Sequence, residues 1–235
     1  MSNLRPIAIA KMVKAIPSFH YFEDGMATSH VADFLVDPKF IRSYHQGVKT
    51  GSWHGSDLRW RVYNACWAAS QALSLPGDFV ECGVNRGGIS RAVMEYIDFA
   101  SQDRLFFLLD TYKGSVDVAE PNQLDYQECY EDVLQTFAPF PNARVIRGLV
   151  PSTLTSIDSE TICYLSIDMN NPEPEIAALR FFWPRLVSGA VVLLDDYAYS
   201  EHYRSSKNAM DALGTELGFR VLTMPTGQGM IIKPC

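Results

Sequence analysis

No stretch of this chain approaches the roughly 20 consecutive apolar residues that a membrane-spanning helix needs, so no span is expected. The opening "MSNLRPIAIAKMVKAIPSF" holds only a four-residue apolar run between Pro6 and Lys11, too short for the core of a secretion signal. Cysteine is sparse and unpatterned. Five residues (Cys66, Cys82, Cys129, Cys163, Cys235), an odd number with no C-x-x-C pair, suggest neither a zinc site nor a disulfide framework. They fit reduced, mostly packed thiols in a cytoplasm. Positive charge is in deficit, with 20 Lys and Arg against 27 Asp and Glu, and a net charge of −7 argues against wrapping a nucleic acid. Internal repeats, low-complexity tracts and Pro/Gly/Ser-rich linkers are all missing, so the 235 residues read as one domain, long enough for a full core plus an extension.

What is present from about residue 77 onward is alternation. Strands are predicted near 79–82, 104–110, 143–147 and 161–168, and a fifth in "GAVVLLDD". Between them lie helical stretches such as "GGISRAVMEYIDFA" and "PEIAALRFFW", the latter with Pro174 suited to a first turn. Strands with little polar alternation are covered on both faces, which implies a parallel α/β sheet. The ending differs: "FRVLTM" and "GMIIKP", joined by "PTGQG", predict a hairpin and a last strand antiparallel to its neighbour. Residues 1–76 do not alternate and are read as a helical extension or lid over a core of residues 77–235; "RWRVYNACWAASQALSL" is its clearest helix.

Three stretches could carry chemistry. In "FVECGVNRGGIS" a strand runs through Gly83, Gly87 and Gly88 into a helix, whose N-terminus offers free N–H groups. Asn85 occupies the middle position of a G-x-G-x-x-G fingerprint, so the turn suits a ligand without a pyrophosphate; a plain tight turn is the alternative. Asp110 closes the next strand, 27 residues after Gly83, where nucleotide-binding sheets place an acid on ribose hydroxyls; a turn or cap Asp is the alternative. Most informative are Asp168, closing "YLSID", and Asp195 and Asp196, closing "VVLLDD" 27 and 28 residues later. One crossover helix fits that interval, so the strands should be parallel neighbours about 4.8 Å apart with their terminal acids converging. Three converging carboxylates repel one another, and a hard divalent ion removes the conflict. Helix capping by Asp168 and Asp196, with Asp195 solvated, is the competing explanation.

These segments are familiar together. "GDFVECGVNRGGIS", "LLDTYKG", "YLSIDMNNPEPEIAALRFFWPRLVSGAVVLLDDY" and "PTGQGMIIKP" resemble the macrocin O-methyltransferase family, over about residues 45–235. The resemblance implies a class I methyltransferase, a Rossmann-like seven-stranded sheet with a reversed terminal hairpin. It further implies S-adenosylmethionine as donor and a small hydroxylated acceptor, a sugar or glycosylated natural product. Magnesium would be held by Asp168, Asp195 and Asp196, and donor contacts would come from Glu81, Gly83, Asn85, Arg86, Gly87, Ser90, Asp110 and Thr111. Relatives of this kind often form dimers or larger assemblies, so a homo-oligomer is expected. Two departures stand out: "DTY" replaces the common "DSF", and the loop from Lys113 to Asp132 matches no acceptor segment.

A metal lowers the pKa of a coordinated hydroxyl and a neighbouring base takes the proton. Asp168 is expected to serve as ligand and base, with His202 as the alternative base. The loop carrying Trp53 and His54 could cover donor or acceptor, and Tyr197, Tyr199 and Tyr203 could stack on the acceptor. A catechol-type O-methyltransferase and a nicotinamide oxidoreductase remain the competing classes, the latter weakened by Asn85 and by the terminal hairpin.

Overall fold

A computed structural model describes residues 20–113 and 127–235. The opening residues 1–19 and most of the loop after Lys113 lie outside the described residues. Five strands, β3 (Asp78–Cys82), β4 (Phe106–Asp110), β5 (Ala143–Arg147), β6 (Ile162–Ile167) and β7 (Leu186–Leu194), run parallel to one another. With β8 (Leu222–Thr223) and β9 (Gly229–Ile232) they form a seven-stranded sheet in the order β5-β4-β3-β6-β7-β9-β8, and β9 runs antiparallel to both its neighbours.

The apolar runs are explained by two cores. Successive strand residues point to opposite faces. Phe79, Leu108, Tyr164 and Leu193 therefore enter one cluster, while Val80, Leu109, Leu165 and Val192 enter the other. Helices α5 (Pro172–Phe182) and α6 (Arg204–Leu217) cover the second face through Leu179, Phe182, Met210 and Leu213. The first face is covered by α3 (Gly88–Tyr96), α4 (Tyr130–Phe137) and the extension. Burial of this kind contributes roughly 25 cal/mol per Å² of apolar surface, which is why neither face alternates with polar residues.

The extension contributes α1 (Pro38–Lys49) and α2 (Arg59–Ala72). Asp37 caps α1 by accepting from the Lys39 and Phe40 amides, and Pro38 occupies its first turn. Small residues Ala65, Cys66, Ala68, Ala69 and Ala72 are fully buried and let α2 approach β6, β7 and α3 closely. Unexpected is a hairpin of β1 (Tyr21–Glu23) and β2 (Met26–Thr28). Its two turn residues, Asp24 (φ 52°) and Gly25 (φ 70°), are both left-handed, the geometry whose twist matches paired strands.

Two boundaries differ from expectation. Helix α5 starts at Pro172 because the Asn171 side chain accepts from the Glu173 amide at 3.0 Å, two residues before Pro174. Only Leu222 and Thr223 of "FRVLTM" pair as a strand, since β8 is an edge with β9 on one side, and Leu222 is 63% exposed. Among the described residues, no helix is long and apolar enough to cross a membrane.

Candidate active site

Ile167 and Leu194 are register partners, so the residues that follow them leave the sheet side by side. The Asp195 amide donates to the Ile167 carbonyl at 3.0 Å. One carboxylate oxygen from each of Asp168, Asp195 and Asp196 falls within 4.8 Å of the others. Neither predicted cap role is filled by these acids: Asn171 caps α5, and α6 begins without a side-chain cap.

The adjacent acids face Arg61 from α2. Its Nη1 donates to Asp195 at 2.5 Å and Asp196 at 3.1 Å, and its Nε donates to Asp24 at 3.0 Å. Tyr199 stacks over the guanidinium at 4.2 Å and hydrogen-bonds Asp24. Gln228, fully buried, donates to the second Asp195 oxygen at 2.8 Å, while its own carbonyl accepts from Asn64 and Thr226. One guanidinium thus bonds three carboxylates, and its charge also reaches a fourth, Asp168. Burial, then the charges of Asp195 and Asp196, hold the Asp168 carboxyl well above its usual range. Burial and Asp195 push Asp196 up to about 6, against the opposing pull of Arg61. The excess negative charge and the all-oxygen donor set fit a hard divalent cation.

Glu175 fixes the turn after β6. Its carboxylate accepts from the backbone of Met169, Asn170 and Asn171, and burial pushes it up to about 7.

The glycine turn meets this cluster through its backbone. Gly83 has φ 89°, and a Cβ there would lie 1.8 Å from the Asp168 carbonyl oxygen. Asn85 adopts φ 50°, a left-handed conformation that Asn tolerates better than most residues. Gly87 (φ 86°) precedes α3, and a Cβ there would lie 2.6 Å from the Phe137 ring. Asp110 accepts from the Val84 and Asn85 amides at 2.7 Å each, from the Tyr112 amide at 2.8 Å and from the Thr111 hydroxyl at 3.3 Å. Its carboxylate therefore stitches β4 to the glycine turn. Arg86 points outward to Asp132 at 2.8 Å. Glu81 lies beneath the turn, buried, and accepts from the Ser90 hydroxyl; burial pushes it up to about 8. The structure thus gathers Gly83, Asn85, Gly87, Asp110 and Thr111 into one strand-end turn and places Glu81 and Ser90 behind it.

His202 stands exposed in the turn Glu201–Tyr203, edge-on to Tyr203 at 5.0 Å, and it is Tyr203 that hydrogen-bonds Asp196. Tyr197 donates to Asp211 at 2.5 Å on α6. The Ser52–Trp53 segment closes over the start of α3, where the Gly88 amide donates to the Ser52 hydroxyl at 2.9 Å. Behind it a cavity of about 520 Å³ is lined by Phe40, Tyr44, His45, Trp53 and His54 among others, and by none of the three acids. The converging negative charge lies at the three acids and not along that cavity.

Arg61, Asp24, Gln228 and Glu175 were not anticipated. The available signal was Arg61 itself, a cation on the buried, alanine-rich side of α2, since a buried charge requires a partner.

A family model described as macrocin-O-methyltransferase (TylF) matches residues 55–213. The demethyldecarbamoylnovobiocin O-methyltransferase of Streptomyces niveus is 26% identical over 143 residues, covering 53% of this chain and 54% of that protein. The chain thus spans about half the length of that relative. The mycinamicin III 3''-O-methyltransferase of Micromonospora griseorubida is 23% identical over 212 residues, 79% of this chain and 81% of that protein. In fold, the chain is similar to the O-methyltransferase NovP, with a TM-score of 0.63 at 22% identity over 74% of this chain and 80% of NovP. It is also similar to the calicheamicin methyltransferase CalS11, with a TM-score of 0.58 at 15% identity over 87% and 98%.

Proposed function

Since the chain belongs to the macrocin O-methyltransferase family, we propose that it is an S-adenosylmethionine-dependent, metal-dependent O-methyltransferase acting on a hydroxyl of a sugar or glycosylated natural product. The observation that carries this reading is the convergence of Asp168, Asp195 and Asp196 within 4.8 Å, with the Gly83 turn packed against the Asp168 backbone. The two named relatives are O-methyltransferases of demethyldecarbamoylnovobiocin and of mycinamicin III at its 3'' position, which supports a small-molecule acceptor.

Methyl transfer from a sulfonium is a displacement with an already activated donor, so the chain's task falls on the acceptor, an alcohol that is a poor nucleophile until it loses its proton. A divalent ion, held by Asp168, Asp195 and Asp196, would supply Lewis acidity that lowers the pKa of a bound hydroxyl. Asp168, one of the three carboxylates at that position, is the group placed to receive the proton. Asp195 is held by Gln228 and Arg61 and keeps a fixed orientation. Glu175 holds the Met169–Asn171 backbone, and with it the direction in which Asp168 leaves β6. The Gly83–Gly87 turn, at the carboxyl end of β3, would present its backbone to the donor. The four buried cysteines and exposed Cys235, all free thiols, are compatible with a cytoplasmic enzyme.

The test is methyl uptake from labelled S-adenosylmethionine across a panel of glycosides and catechols, with and without chelator. Chelator-sensitive methylation of glycosides is expected. Methylation of catechols alone would move the protein to the catechol-type class, and tight binding of NAD with none of S-adenosylhomocysteine would remove it from methyl transfer.

A further inference from the structure

Arg61 occupies an unusual position. It comes from the extension, its side chain is only 5% exposed, and its Nη1 bridges Asp195 and Asp196, two of the three carboxylates offered to a metal. The opposite edge is held by Asp24, at the tip of the β1–β2 hairpin and 3% exposed in its side chain. Its face lies under Tyr199, and its buried Nη2 has no hydrogen-bond partner among the described residues.

Charge balance makes this position consequential. Both Asp195 oxygens are engaged, one by Arg61 and the other by Gln228. A guanidinium is protonated at any working pH and cannot give way by losing a proton. An ion binding the same carboxylates would sit within a few ångströms of that fixed positive charge, and in a site screened poorly by water the repulsion is strong. Asp24 is the counterweight, drawing part of the guanidinium's charge away from the two acids.

We propose that Arg61 is the resident counter-cation of this cluster and competes with the divalent ion for Asp195 and Asp196, so that the Asp24–Arg61 pair sets the metal affinity of the site. The proposal rests on the reading of the three acids as a metal site. An arginine that merely held the carboxylates in place would act in the opposite sense, since its loss would weaken metal binding.

The experiment is a titration of chelator-stripped full-length protein with Mn²⁺, free ion being followed by electron paramagnetic resonance. Arg61→Met is expected to bind Mn²⁺ at least ~10-fold more tightly than the unmodified chain, and Arg61→Lys, which keeps the charge, within about threefold of it. Asp24→Asn, which leaves the guanidinium uncompensated on its far side, is expected to bind several-fold more weakly. Arg61→Met removes the cation from four acids and could fail to fold without metal; Asp24→Asn then decides, and unchanged or tighter binding by that variant overturns the proposal. Equal or weaker binding by a folded Arg61→Met overturns it while leaving the metal site standing. If no variant binds Mn²⁺, both the proposal and the metal reading fail.

Discussion

Replacing Gly83 with alanine strikes the point where the glycine turn touches the backbone of Asp168 at the end of β6. The residue sits at φ 89°, and its new methyl would lie 1.8 Å from the Asp168 carbonyl oxygen, 2.4 Å from the carbonyl carbon and 3.1 Å from Met169 Cγ. The left-handed conformation alone costs an alanine about 1–2 kcal/mol. The overlap is with backbone, so no rotamer change relieves it, and overpacking of this kind adds about 1–3 kcal/mol. The sum, roughly 2–5 kcal/mol, is a large part of a typical domain's stability of about 5–15 kcal/mol. Gly55→Ala is the control, because Gly55 has φ 85° with nothing within 4 Å of its added methyl, leaving only the conformational cost. Urea denaturation followed by circular dichroism measures both. Mn²⁺ affinity measures the second consequence, since relieving the clash moves Asp168 by more than the roughly 0.5 Å that a preorganised ligand set tolerates. If Gly83→Ala matches Gly55→Ala in stability and binds Mn²⁺ as the unmodified protein does, the close approach of turn and strand has been misread.

Two further expectations concern pH. Burial raises Glu81 to about 8 and Glu175 to about 7, so between their unfolded values near 4.5 and these folded values the native state binds more protons than the unfolded chain. Stability of the metal-free protein should therefore be greatest at the acid end of that window and fall as pH rises through it, read from denaturation midpoints at a series of pH values. Glu81→Gln should remove on the order of 3–5 kcal/mol of that fall, and an unaltered slope would show that Glu81 is ionised in the fold at neutral pH.

The parallel sheet and the meeting of the three acids were legible because both follow from local rules. Runs such as "VVLLDD" could only be strands covered on both faces, and one crossover helix per interval makes Asp168 and Asp195 neighbours, as the Ile167–Leu194 pairing bears out. Asn85, which broke the dinucleotide fingerprint, preserves the turn because it adopts the left-handed conformation that glycine would supply. The hairpin at Asp24-Gly25 carried a readable turn signal in "YFEDGMAT" but is only three residues per strand, too short for alternation to show. Arg61 offered a signal of its own, but what it pairs with was not legible, for a different reason. Its partners lie 134 and 135 residues further on, and a salt bridge at that separation leaves no trace in local pattern. Asp110 was legible as the acid closing its strand, but its hydrogen bonds to the Val84 and Asn85 amides of the glycine turn, 26 and 25 residues earlier, were not.

The measurement that bears most directly on the account is an anomalous difference map from crystals grown with Mn²⁺ and S-adenosylhomocysteine. The account predicts one strong peak about 2.0–2.3 Å from a carboxylate oxygen of each of Asp168, Asp195 and Asp196, with the donor product beside the Gly83 turn. Clear density for the product with no manganese between the three acids, and Arg61 still bridging Asp195 and Asp196, would contradict it.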